Sequence, residues 1–111
     1  MREVAKKWYC VQRQFNLDGT IRQEDVECCG DSKEEAINKA KDLWDHFTKK
    51  EQERNAVHVC MWHSIKNDDG EWHSVWEDDE EYKEGMSYAG CYDLAYEISS
   101  FGEHELFTFE E

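Results

Sequence analysis

The chain has 111 residues, enough for one domain with a modest core that needs neither disulfides nor a metal. A net charge of −14 and low mean hydropathy lean towards disorder, but 5 Trp, 5 Tyr and 5 Phe supply the large apolar surfaces a packed interior requires. No apolar run approaches the roughly 20 residues of a membrane helix, which excludes a span of that kind.

The acid is unevenly placed. Residues 1–56 carry 11 Lys or Arg against 12 Asp or Glu, whereas residues 57–111 carry only Lys66 and Lys83 against 15 acids. One domain over 1–111 with an acidic second half (57–111) is expected. Its field repels nucleic acid and anionic membranes and speeds encounter with basic surfaces. The five cysteines, Cys10, Cys28, Cys29, Cys60 and Cys91, are odd in number, irregularly spaced and preceded by no leader, which points to free thiols in a reducing cytoplasm.

In chain order, Lys7 to Phe15 alternates as a strand, with Tyr9, Val11 and Phe15 on one side, Trp8 and Cys10 on the other, and Arg13 interrupting the first. Asn16, Asp18 and Gly19 form a turn into a second, polar strand from Thr20 to Cys28, suited to a sheet edge. Gly30 and Asp31 break that strand. From Asp31 to Phe47, Ala36, Ile37, Ala40, Leu43, Trp44 and Phe47 recur at helical spacing, and Ser32 with Glu35 has the form of a capping box. Thr48 with Glu51 repeats that pattern, so the helix pauses there.

Ala56 to Ile65 alternates as a strand, with Val57, Val59, Met61 and Ile65 facing one way and His58, Cys60, Trp62 and Ser64 the other. Asn67 to Gly70 is a turn, followed by a strand holding Trp72, Val75 and Trp76. Matching odd positions to even ones across that turn puts Trp72 and Trp76 beside Met61 and Ile65, as the bed for the helix. Residues 77–84, EDDEEYKE, form a charged loop; Cys91 to Ile98 is a strand with Tyr92, Leu94, Tyr96 and Ile98 on one side; Leu106 to Phe109 ends the chain as a short strand or packed tail. The expected fold is α+β, one main amphipathic helix packed on a mostly antiparallel sheet, in the order ββαββ plus one or two C-terminal strands.

His58, Cys60, His63 and His73 invite comparison with a metal site, but strand geometry turns His63 away from His58 and Cys60, so no metal or other cofactor is expected. The chain holds no nucleophile elbow, phosphate-binding glycine loop or metalloprotease helix, and its clustered carboxylates are solvated, the wrong setting for raising a general acid's pKa. The expectation is not an enzyme.

Two binding surfaces remain. Glu77, Asp78, Asp79, Glu80, Glu81 and Glu84, supported by Glu103, Glu105, Glu110 and Glu111, form the acidic one. On an extended chain, alternate carboxylates lie about 6 to 7 Å apart, close to the spacing of phosphates along a nucleic-acid strand, so such a segment fits a Lys- and Arg-lined channel. The other is an aromatic sheet face with Trp8 and Trp62 turned away from the helix, covered by the C-terminal segment or open to a protein partner or a second copy, as in a homodimer.

The strand and turn with DGT at 18–20, the segment SKEEAINKAKDLWDHFTKKE at 32–51 and the strand VHVCMW at 57–62 resemble short, largely uncharacterised accessory proteins of phages and mobile elements of Gram-positive bacteria. The resemblance covers about half the chain and carries no catalytic residues. It implies a context that includes inhibitors of host defence nucleases, among them acidic anti-CRISPR proteins that mimic nucleic acid. The function expected is therefore a non-enzymatic acidic inhibitor that binds the basic nucleic-acid channel of a bacterial nuclease, with no direct contact to nucleic acid or membrane. The alternative is a protein-interaction module using the aromatic face, its acidity serving solubility.

Overall fold

The computed structural model describes residues 2–105. Its elements are β1 (Val4–Phe15), β2 (Ile21–Gly30), α1 (Lys33–Asp45), α2 (Lys49–Arg54), β3 (Asn55–Lys66), β4 (Trp72–Ser74), β5 (Asp93–Ser99) and β6 (Gly102–Glu105). The strands form one sheet in the order β2-β1-β3-β5-β6, and β4 pairs with the far end of the edge of β3 that β5 also uses. Every strand pairing among the described residues is antiparallel.

This corrects the expectation of one main helix packed on a sheet in the order ββαββ. Strand accounts for 48 % of the structure and helix for 18 %, in six strands and two short helices. The physical reason lies in β3, whose first eight residues are all buried, so both of its faces are core. On α1 only Ala36 and Ala40 reach the interior; Ile37, Leu43, Trp44 and Phe47 are half-buried at its rim. A stripe of helical period thus marks a helix without making it the centre of the fold. Ser32 accepts from the Glu35 amide at the start of α1, and Thr48 with Glu51 forms a complete capping box that begins α2.

Two clusters sit on opposite faces of the sheet. Under α1 lie Trp8, Cys10, Val57, Val59, Met61, Tyr96 and Ile98. On the other face Tyr9, Val11, Cys60 and Trp62 are covered by Ala89, Tyr92 and Leu94, with Tyr9 stacked on Trp62 at 4.0 Å. Register decides this division, because β1 meets β3 as Trp8↔Met61 and Tyr9↔Cys60. Trp8 and Trp62 therefore lie on opposite faces, 4 % and 2 % exposed, so they do not share one face as expected; of the two alternatives, cover by the chain itself holds for Trp62, which packs with Ala89, Tyr92 and Leu94.

Three further expectations change for reasons of register. The β3–β4 pairing is Lys66↔Trp72 and Ile65↔His73, even with even and odd with odd, across a five-residue loop closed by Asn67 and Glu71. Trp72 consequently sits under the Lys7 ammonium, 4.3 Å from its ring centre, and Trp76 lies beyond the strand and is 47 % exposed. In β5, Val59 pairs with Tyr96 and Cys60 with Leu94, so Ala95 is a bulge. That extra residue sends Tyr92 and Leu94 to one face and Tyr96 and Ile98 to the other.

The polar interruptions also acquire partners. Arg13 bonds Glu24 at 2.7 Å and the Tyr92 hydroxyl at 2.8 Å. His58 meets Glu97 at 3.2 Å, His63 meets Ser87 at 3.2 Å and His73 meets Asp69 at 3.4 Å, three separate places. Burial holds the His58 imidazole below its ordinary pKa although Glu97 pulls the other way. No helix among the described residues is long and apolar enough to cross a membrane. The Leu106 to Phe109 segment, with Glu110 and Glu111, lies outside the described residues.

Candidate functional site

The segment 75–92 leaves β4, folds over the second sheet face and returns as β5. Its path is fixed by the edge of β3, where the Val75 amide donates to the His63 carbonyl and the His63 amide to the Ser87 carbonyl, filling the gap between β4 and β5. Val75 is fully buried by that step. Within the acidic stretch, amide-to-carbonyl bonds from Asp79 to Trp76, from Tyr82 to Asp79 and from Met86 to Lys83 make a run of turns. The segment is not extended, so the carboxylate spacing of a strand does not apply to it.

The six expected partner-binding residues separate into two groups. Glu81 is 4 % exposed and accepts from Nε, Nη2 and the backbone N–H of Arg2, each at 3.0 Å. Asp79 accepts from Arg2 Nη2 at 3.0 Å and from the Trp76 amide at 2.9 Å. Glu77 accepts from the Tyr88 hydroxyl at 2.7 Å. These three are engaged within the chain: Glu81 is buried, Asp79 half-buried and Glu77 exposed. Asp78, Glu80 and Glu84 are exposed and point to solvent.

Both members of the Arg2–Glu81 pair show its strength. The guanidinium drives the Glu81 carboxyl down to about 2, chiefly by direct hydrogen bonding, and the carboxylates raise the Arg2 pKa in return. Glu77 pushes the Tyr88 phenol up to about 12, because a carboxylate acceptor favours the protonated hydroxyl.

Arg2 also reaches Asn67 Oδ1 at 3.1 Å, so one side chain joins the β3–β4 loop to the 77–84 loop. Asp68, Asp69 and Glu71 of the first loop are exposed, and with Asp78, Glu80 and Glu84 they form one acidic surface at that end of the sheet. Asn67 to Gly70 reads in the sequence as a turn signal alone, which hides these acids; a second half with only Lys66 and Lys83 against 15 acids, needing a cation from the first half, was the available hint. Trp76 stands beside the surface, 5.6 Å from Tyr88 between ring centres, over an open recess of about 570 Å³ that Glu77 and Asp78 also line. Gly90 permits that ring pair, since a Cβ there would come within 3.1 Å of Tyr88 and 3.6 Å of Trp76. Glu103 and Glu105 lie on β6 at the far edge of the sheet, away from this surface, with Glu105 paired to Lys33 at 2.5 Å.

Chemically the surface suits cations: exposed carboxylates on a frame held by an internal ion pair, next to an aromatic ring whose face attracts positive charge. The chain matches no family model, no curated protein and no solved structure.

Proposed function

We propose that this protein is a non-enzymatic acidic inhibitor that occupies a Lys- and Arg-lined nucleic-acid channel of a basic protein, a bacterial defence nuclease in the cytoplasm of the host cell. The observation that carries the reading is the Arg2 clamp, which holds two acidic loops in one place while leaving Asp78, Glu80, Glu84, Asp68 and Glu71 free. A pre-organised surface loses less entropy on binding than a flexible acidic tail would. The net charge of −14 supplies long-range attraction to a basic target. The resemblance to accessory proteins of phages and mobile elements supplies the biological setting. Trp8 and Trp62 are both buried, which weakens the reading of an aromatic sheet face as the contact; of the exposed rings, Trp76 and Phe101, only Trp76 stands beside the acidic surface.

The test is capture from a bacterial lysate, with and without added DNA, over a series of salt concentrations. A nucleic-acid-binding protein that DNA displaces, and whose retention falls steeply with salt, is the expected result. Partners retained equally with DNA and at high salt would remove the mimic reading.

A further inference from the structure

Two of the five cysteines meet. The Sγ atoms of Cys10 and Cys29 are 3.1 Å apart. Cys29 is the residue that the bulge in the first hairpin leaves without a ladder partner, since Trp8 pairs with Gly30 and Tyr9 with Cys28. Cys10 is 1 % exposed and its thiol also contacts the Ala36 carbonyl at 3.2 Å, whereas Cys29 is only half-buried and so within reach of a small reagent. The remaining cysteines stand elsewhere: Cys60 is buried on the other face, and Cys28 and Cys91 are exposed.

We propose that Cys10 and Cys29 form a redox modification site, a dithiol that a small-molecule disulfide of the glutathione type converts to a reversible intramolecular disulfide. Cys29 loses its proton and its thiolate attacks one sulfur of the small disulfide, giving a mixed disulfide on Cys29 and releasing one small thiolate. Cys10 then gives up its proton, and its sulfur attacks the Cys29 sulfur and expels the second small thiol. Two thiol hydrogens and two electrons leave the protein, and the small disulfide is reduced to two thiols. The order follows from access and acidity: Cys29 is half-buried and Cys10 buried, and the contact between the two sulfurs lowers the Cys29 pKa while that of Cys10 is raised. Closure shortens the sulfur separation by about 1 Å to the roughly 2.05 Å of a bond. Oxidation fastens the edge strand β2 to β1 beneath α1 and frees the Ala36 carbonyl.

The experiment equilibrates the folded protein in mixtures of reduced and oxidised glutathione, quenches with acid, unfolds, alkylates and reads intact mass and peptide maps. The alkylated thiol count should fall from five to three, with one cross-linked peptide pair joining Cys10 to Cys29. Cys10→Ser should instead accumulate the glutathione adduct on Cys29, and added reductant should restore five thiols to the wild type. The wild-type map does not depend on any variant folding. Five thiols remaining in the most oxidising mixture would overturn the proposal. So would a bond between other cysteines, or a stable Cys29 adduct with Cys10 still alkylated in the wild type.

Discussion

The Glu81 carboxylate grips the Arg2 guanidinium through two parallel bonds of 3.0 Å, joining residues 79 apart in the chain. Its carboxyl is held at about 2 against an ordinary 4.5. A depressed acid contributes stability that is complete above its unfolded value and lost as pH falls through its folded value. Glu81→Gln should therefore lower the thermal midpoint at neutral pH. The gap from wild type should narrow between pH 4.5 and 2 and close below. Melting both proteins across that range checks the sign; a gap that stays constant would mean the ion pair contributes nothing.

The charge surface can be separated from its frame. Replacing Asp78, Glu80 and Glu84 by their amides touches exposed groups, so stability should stay within about 0.5 kcal/mol. If each forms an exposed ion pair with the target worth about 0.2 to 1 kcal/mol, affinity should fall roughly 3- to 150-fold. Titration of the captured partner at fixed salt measures this. Adding Asp79 and Glu81 to the set would confuse the result, because both bond Arg2.

The weight of the core lies in the sheet. Trp62→Ala, at a position 2 % exposed and stacked on Tyr9, should cost roughly 3 to 5 kcal/mol. Trp44→Ala, at the half-buried rim of α1, should cost less than about 3 kcal/mol. Urea unfolding of the two variants gives the order directly. A larger loss at Trp44 would return the helix to the centre of the fold.

Gly30 ends β2 with φ +117°, and a Cβ there would also overlap the Glu35 carboxylate. The carboxylate is the far end of a flexible side chain and can swing away, so the backbone sets the loss. Gly30→Ala should destabilise by about 1 to 3 kcal/mol. Pairing it with Glu35→Ala should recover little; full recovery in the double variant would show that the collision, and not the dihedral angle, was responsible.

Much of the local structure was legible in the residues themselves. Alternation marked the strands around Tyr9 and Val59, Thr48 with Glu51 marked the start of α2, and the turn formers marked the loops at 16–20 and 67–71. These features depend on neighbours a few positions away. The acidity of the second half is likewise a property of composition alone.

Tertiary structure decided everything that depends on which strand lies beside which, and in what register. A side-chain period of two means that a one-residue change in pairing moves a whole row to the other face. The β1–β3 register put Trp8 under α1 and Trp62 opposite, the Ala95 bulge divided Tyr92 from Tyr96, and a five-residue loop took Trp72 out of the helix bed. The same holds for charge. Six acids in EDDEEYKE look alike as a string, yet Arg2 selects Asp79 and Glu81 as internal ligands and leaves Asp78, Glu80 and Glu84 at the surface, because only folding brings residue 2 against residues 79 and 81.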